Sequence, residues 1–102
     1  MKKEDIQKRL KKIGIKDLGD NSLGSSRGFE VPQKFSSLDC VLYLTALDIP
    51  GVKFLVLEDT SDGTTLNFHL KKGVLYESIC LDIVEALESF DKLDPQEFAK
   101  CI

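Results

Sequence analysis

The chain is short of the residues that do most metal and redox chemistry. It has one histidine, His69, and three cysteines, Cys40, Cys80 and Cys101, in 102 residues. The cysteine count is odd, the spacings are wide and no pair has C-x-x-C spacing, which excludes a disulfide framework and a structural zinc site. The thiols are therefore expected to be reduced and unpaired, with Cys40 and Cys80, which sit in apolar runs, acting as small buried hydrophobes. No cofactor or metal is expected.

Long apolar runs are missing too. The longest, residues 41–47, is interrupted by Thr45 and falls far short of the roughly 20 residues that cross a bilayer. Behind the basic start there is no apolar stretch of secretory-signal length; between Lys2 and Lys16 only the Ile13-Gly14-Ile15 step approaches one. The expectation is a cytoplasmic protein that does not enter a membrane. A length of 102 residues and a hydrophobic content of 42% suit one domain with one packed core.

Positive charge is scarce outside the first sixteen residues. There Lys2, Lys3, Lys8, Arg9, Lys11, Lys12 and Lys16 stand against Glu4 and Asp5, a net charge of +5. The other 86 residues carry −8, for −3 overall. An acidic body cannot coat a nucleic acid, because phosphate binding needs clustered cations.

Apolar residues at Ile6, Leu10 and Ile13 predict an amphipathic helix over residues 2–13, stopped by Gly14. Periodicity then disappears. Four glycines and several Ser, Asp and Asn residues predict a flexible Gly/Ser-rich loop over 14–30, cut first by proteases near Arg27, with Phe29 and Val31 pinning its far end as an edge strand that Pro32 ends. Residues 36–48 are apolar on every side, so period alone cannot separate helix from strand. Ser36-Ser37-Leu38-Asp39 reads as a capping box, and Pro50-Gly51 suits a type II turn that would splay a hairpin, so helix is favoured; as a strand, this run would add a third to the sheet. Residues 52–58 and 64–70 predict a hairpin across Asp59–Gly63. Its first strand is apolar enough to be covered on both faces, and its second turns Leu66, Phe68 and Leu70 inward. Residues 75–91 form the clearest helix, with Leu75, Tyr76, Ile79, Cys80, Ile83, Ala86, Leu87 and Phe90 on one stripe. Asp94-Pro95-Gln96-Glu97 starts a last helical turn that would bring Phe98 back to the body. The fold class is α+β: a single domain, 1–102, with a short antiparallel sheet packed by an N-terminal helix and a long C-terminal one.

No catalytic group of residues assembles. Gly24-Ser25-Ser26-Arg27-Gly28 matches the G-x-S-x-G pattern of hydrolases, but no strand is predicted before it, no helix follows promptly and the chain is too short for the hydrolase sheet. The same segment could cradle a phosphate with its amides and Arg27, but it lacks the lysine and helix of a P-loop. His69 has no cysteine or carboxylate at useful spacing and reads as a solvent-facing strand residue. An enzyme is not expected.

Charge on the last helix is harder to explain locally. Glu88 and Asp91 sit where the helix dipole disfavours anions. Glu77, Leu81, Glu85 and Glu88 share the face opposite the core stripe, an apolar anchor within a polar rim. The expectation is a protein-interaction module that binds or occludes a basic protein partner through these four residues, in the manner of acidic inhibitors and immunity-type proteins. The competing, internal explanation is that the N-terminal helix docks there and neutralises the carboxylates. The alternative function is RNA binding through Lys8, Lys11, Lys12, Lys71 and Lys72. One prediction needs no structure: thiol titration of denatured, unreduced protein finds all three cysteines free, and a single reactive thiol would mean a disulfide and a different compartment.

Overall fold

A computed structural model describes residues 3–20, 26–61 and 63–93. The basic stretch forms helix α1 (Lys3–Lys12), with Glu4 and Asp5 in its first turn and Arg9, Lys11 and Lys12 in its last, each sign at the end its dipole favours. Gly14 donates to the Lys11 carbonyl at 3.0 Å and Ile15 to the Leu10 carbonyl at 2.9 Å, a Schellman end that stacks two buried side chains, Leu10 and Ile15.

The 14–30 segment differs from its reading as a loop. It holds two strands, β1 (Lys16–Asp20) and β2 (Ser26–Val31), paired antiparallel. β2 is an inner strand of the sheet, not an edge. Arg27, the expected protease site, is buried. Residues 21–25 lie outside the described residues, as do Cys101 and the expected last helical turn at 94–98.

Pro32 follows β2 and leads into a short 3-10 turn, Gln33–Phe35, that drops Phe35 fully into the core. The ambiguous apolar run is a helix, α2 (Leu38–Ala46). Its N-cap is Ser37, one residue later than expected, whose hydroxyl accepts from the Cys40 amide at 3.2 Å. Strands β3 (Val52–Thr60) and β4 (Gly63–Leu70) form the expected hairpin, two residues longer at the β3 end, and α3 (Tyr76–Lys92) closes the fold.

The four strands run in the order β1-β2-β4-β3, every neighbour antiparallel. The sheet is thus four-stranded, where the sequence promised a hairpin with at most a third strand. The chain repeats one order twice, helix then hairpin, and the two hairpins join through their second strands. α1 packs over β1 and α2 over β3, with α3 between them. All three helices meet the same face of the sheet, where Phe29 and Val31 of β2 stand beside Leu66, Phe68 and Leu70 of β4. Aromatic rings knit the layers: Phe29 meets Phe68 edge-on at 5.5 Å, and Phe90 of α3 lies 5.6 Å from Phe35 and 5.5 Å from Tyr43 of α2.

Because the three helices share one face of the sheet, β3 is not covered on both faces as its composition suggested: Lys53 and Phe54 are exposed, and Leu55, Val56 and Leu57 are half-buried. Leu75, assigned to the core stripe, is also exposed, because it caps α3 from an extended conformation instead of lying within the helix.

Between α2 and β3 the chain turns at Ile49-Pro50-Gly51-Val52, closed by the Val52 amide on the Ile49 carbonyl at 3.1 Å, with Gly51 at φ +86°. A Cβ there would lie 2.9 Å from Val74 Cγ1 and 3.2 Å from Ile79 Cγ2. Gly51→Ala is expected to lose about 1–3 kcal/mol, read as a lower urea midpoint at constant slope. Gly73→Ala, at φ +82° with no atom within 4 Å of the added carbon, should lose less, which separates the clash from the backbone strain.

Candidate functional site

α3 is the ridge of the helical layer, and internal pairing decides which of its carboxylates face outward uncompensated. Glu88 is half-buried and held by Arg9 of α1. The guanidinium donates through Nε to Oε2 at 3.0 Å and through Nη2 to Oε1. That hydrogen bond holds the Glu88 carboxyl below its ordinary range, against the opposing effect of desolvation, with the charges of Arg9, Lys92 and Lys12 helping. It raises Arg9 in return. Asp91 takes Lys34, whose ammonium donates to its backbone carbonyl and lies 3.4 Å from Oδ1. The two acids that oppose the α3 dipole therefore have tertiary counter-ions. Much of the internal explanation holds: α1 does dock beside this face.

What remains is Glu77, Asp82 and Glu85. All three are exposed and make no ion pair with the described residues. Leu81 stands among them, half-buried and packed against the core cluster. Of the four residues singled out from sequence, Glu77 and Glu85 line the outward ridge, Leu81 lies between them with part of its side chain against the core, and Glu88 fastens the helix to α1. Asp82 is an addition, on the same exposed side one residue beyond Leu81.

The lysines do not form one patch. Lys8, Lys11 and Lys12 are exposed on α1. α1 and α3 run the same way, because Ile6 lies near Tyr76 and Cys80 while Arg9 reaches Glu88. Lys11 and Lys12 thus sit toward the C-terminal end of α3, and Lys71 and Lys72 precede its start. Much of the 17-residue α3 therefore lies between Lys71-Lys72 and the end of α1.

The sequence reading missed a buried ion pair. Arg27 of β2 grips Asp17 of β1 in a fork, Nε to Oδ1 at 2.9 Å and Nη2 to Oδ2 at 2.7 Å, with side chains only 10% and 8% exposed. The guanidinium carbon lies 4.0 Å from the centroid of the Tyr76 ring, and the Gly19 amide donates to Asp17 Oδ1 at 2.9 Å across the bulge in β1. The pair walls one side of a cavity of about 170 Å³ that Ile6, Gln7 and Cys80 also line. The available signal was the alternation Arg27-Phe29-Val31, which turns an arginine onto an apolar sheet face and so demands an acid nearby.

Catalytic groups stay apart. Ser26, the serine of the G-x-S-x-G match, is the first residue of an inner strand and not on a strand-to-helix elbow. It faces His69 across the β2–β4 pair, but no hydrogen bond joins them, and the imidazole stacks on Phe54 at 4.4 Å with 15° between planes. Arg27 is spent on Asp17, which removes the cation from a phosphate cradle. Burial pushes the Cys40 thiol up to about 12, leaving it protonated and unreactive near neutrality. Among the described residues no three His, Cys, Asp or Glu side chains gather to hold a metal, and no helix is long and apolar enough to cross a membrane.

No family model matches the chain, and no curated protein or solved structure matches it.

The ion pair has a measurable consequence. Asp17→Ala leaves a buried guanidinium without its carboxylate and is expected to cost about 3–5 kcal/mol in urea unfolding. The double variant Asp17→Leu with Arg27→Met removes both charges and should recover most of that loss. A single-variant loss near zero would mean that the pair is solvated.

Proposed function

We propose that this protein is a protein-interaction module that receives a basic protein partner on the outer ridge of α3. One observation carries the reading. After internal pairing has absorbed Glu88 and Asp91, the carboxylates of Glu77, Asp82 and Glu85 are left exposed around the half-buried Leu81. Glu77 lies in the first turn of α3, where the dipole favours it, but Asp82 and Glu85, one turn apart, repel each other within their own helix and gain nothing from it. A cationic partner would be steered by the net charge of −3 and would find an apolar anchor inside a polar rim.

Such a module acts by occupying its partner, in the manner of an inhibitor or immunity protein. No chemistry on its own side is required. The two described cysteines are free thiols, which suits work in a reducing, cytoplasmic compartment. The split between the α1 lysines and Lys71-Lys72 weighs against the RNA-binding alternative, since a single helical groove would have to meet both groups.

The test is affinity capture from cell extract with the native chain and with Glu77→Lys combined with Glu85→Lys, both exposed positions whose exchange should leave the circular dichroism unchanged. The native chain should retain a basic protein in stoichiometric amount. The double variant should bind it at least about tenfold more weakly, chiefly through slower association at low salt. Equal capture by the variant, or bound material that is nucleic acid and vanishes with nuclease, would overturn the reading.

A further inference from the structure

The repeated helix-and-hairpin order gives the domain two lateral sides of the same construction, each an edge strand with a helix packed over it. Their chemistry is opposite. On one side β1 has 5 residues and a bulge between Asp17 and Gly19, and α1 exposes Glu4, Asp5, Lys8, Lys11 and Lys12. Short, bulged, charge-covered edges are how proteins prevent strands from pairing between molecules. On the other side β3 runs for 9 residues, irregular only at its start between Val52 and Phe54, with no proline and one lysine, and among the described residues no strand lies beyond it.

The helix above β3 is equally unprotected. Cys40 and Leu44 of α2 turn into the core. Leu38, Leu42 and Ala46, spaced by four, lie on the outer face; Leu38 is 70% exposed and Leu42 is 48% exposed. Asp39 is the only charged residue in α2. A helix that is apolar on both faces is ordinarily covered on both.

We propose that a second copy of this chain covers this side. The two β3 strands join edge to edge, antiparallel, in a continuous eight-stranded sheet, and the two α2 helices pack on each other above the seam. The order of charge along β3 selects a copy of itself in this orientation. Lys53 stands at the start of the strand and Glu58 and Asp59 at its end, so an antiparallel self-pair brings opposite charges together at both ends, and a parallel one would stack like charges. A two-fold axis perpendicular to the sheet must pass midway between one residue and its own copy, because residues that face each other point to the same side. Centred on Val56, it sets Leu55 against Leu57 twice in the regular part of the strand and brings Lys53, at the irregularity beside Val52, to the level of Asp59 twice. Centred on Leu55 or Leu57, it loses both ion pairs. Because the axis is perpendicular to the sheet, both α3 ridges emerge on the same face of the dimer. The proposal stands whether or not those ridges bind a partner.

Sedimentation analysis of the full chain over a concentration series decides it. The native chain should be a dimer, and Leu42→Glu, at an exposed position, should yield a folded monomer. Lys53→Asp and Asp59→Lys should each weaken dimerisation at least about tenfold, and the two together should restore it by re-pairing the exchanged charges. Glu77→Lys with Glu85→Lys should leave the dimer intact, which keeps this result separate from the fate of the α3 ridge. A native chain that stays monomeric at about millimolar concentration, a dimer that survives Leu42→Glu, or single exchanges that the double exchange does not rescue would overturn the proposal.

Discussion

Everything in this fold depends on one strand pair, β2 against β4. Each hairpin alone is a two-stranded ribbon, which is marginal in water. Joined through Phe29 opposite Leu66 and Arg27 opposite Phe68, the hairpins become a sheet wide enough to carry three helices. The apolar face that receives them exists only after the pairing, because β2 supplies Phe29 and Val31 and β4 supplies Leu66, Phe68 and Leu70. The pairing also dictates the buried charge. Once β2 is in register, Arg27 falls on the core face, and β1 must present Asp17 to it. α2 has to be in place for β4 to reach β2, so the decisive contacts are long-range and costly in loop entropy.

Elements whose burial follows from their own pattern were legible in the sequence. α3 shows its stripe because one side of it is core and the other solvent. β4 shows its alternation for the same reason. The 14–30 segment did not, because its strands owe their existence to neighbours. Gly19, Asp17 and Asp20 in β1 and Gly28, Ser26 and Glu30 in β2 are poor strand formers, and strand preference is largely a measure of packing on a partner. Gly28 sits close under Asn67, where a Cβ would lie 2.8 Å from the amide oxygen, so its smallness is used by the neighbouring strand and is no sign of a loop. The α3 carboxylates were half legible. Their conflict with the dipole was visible along the helix, but Arg9 and Lys34, which resolve it for Glu88 and Asp91, lie 79 and 57 residues away.

The separation of charge along the chain takes on a physical meaning in the fold. The basic N-terminal helix lies beside the acidic ridge and surrenders only Arg9 to it, as the clamp that fixes α1 to α3. Lys8, Lys11 and Lys12 are exposed, and Lys12 adds its charge to the hold on Glu88, so most of the positive charge is displayed. One flank of the ridge is therefore basic and the ridge itself is acidic. The α2 flank, by contrast, carries almost no charge, with Asp39 the one charged residue of its helix.

That same α2 flank explains why residues 36–48 resisted assignment. Helices show a period when water covers one side, and α2 hides its period because its outer side is also largely apolar, through Leu38, Leu42 and Ala46. The ambiguity and the exposed leucines are one observation made twice, first in the sequence and then on the surface. α1 holds the matching place in the other half of the repeat and has the ordinary pattern, so the fold itself does not require an apolar outer face there. Leu38 and Leu42 contribute little to the stability of the monomer at their exposure, and each adds to the apolar area that water must cover. Residues with a cost in the isolated chain and no role within it are explained by what they meet outside it, and beneath them lies a strand whose main-chain edge is ready to be extended.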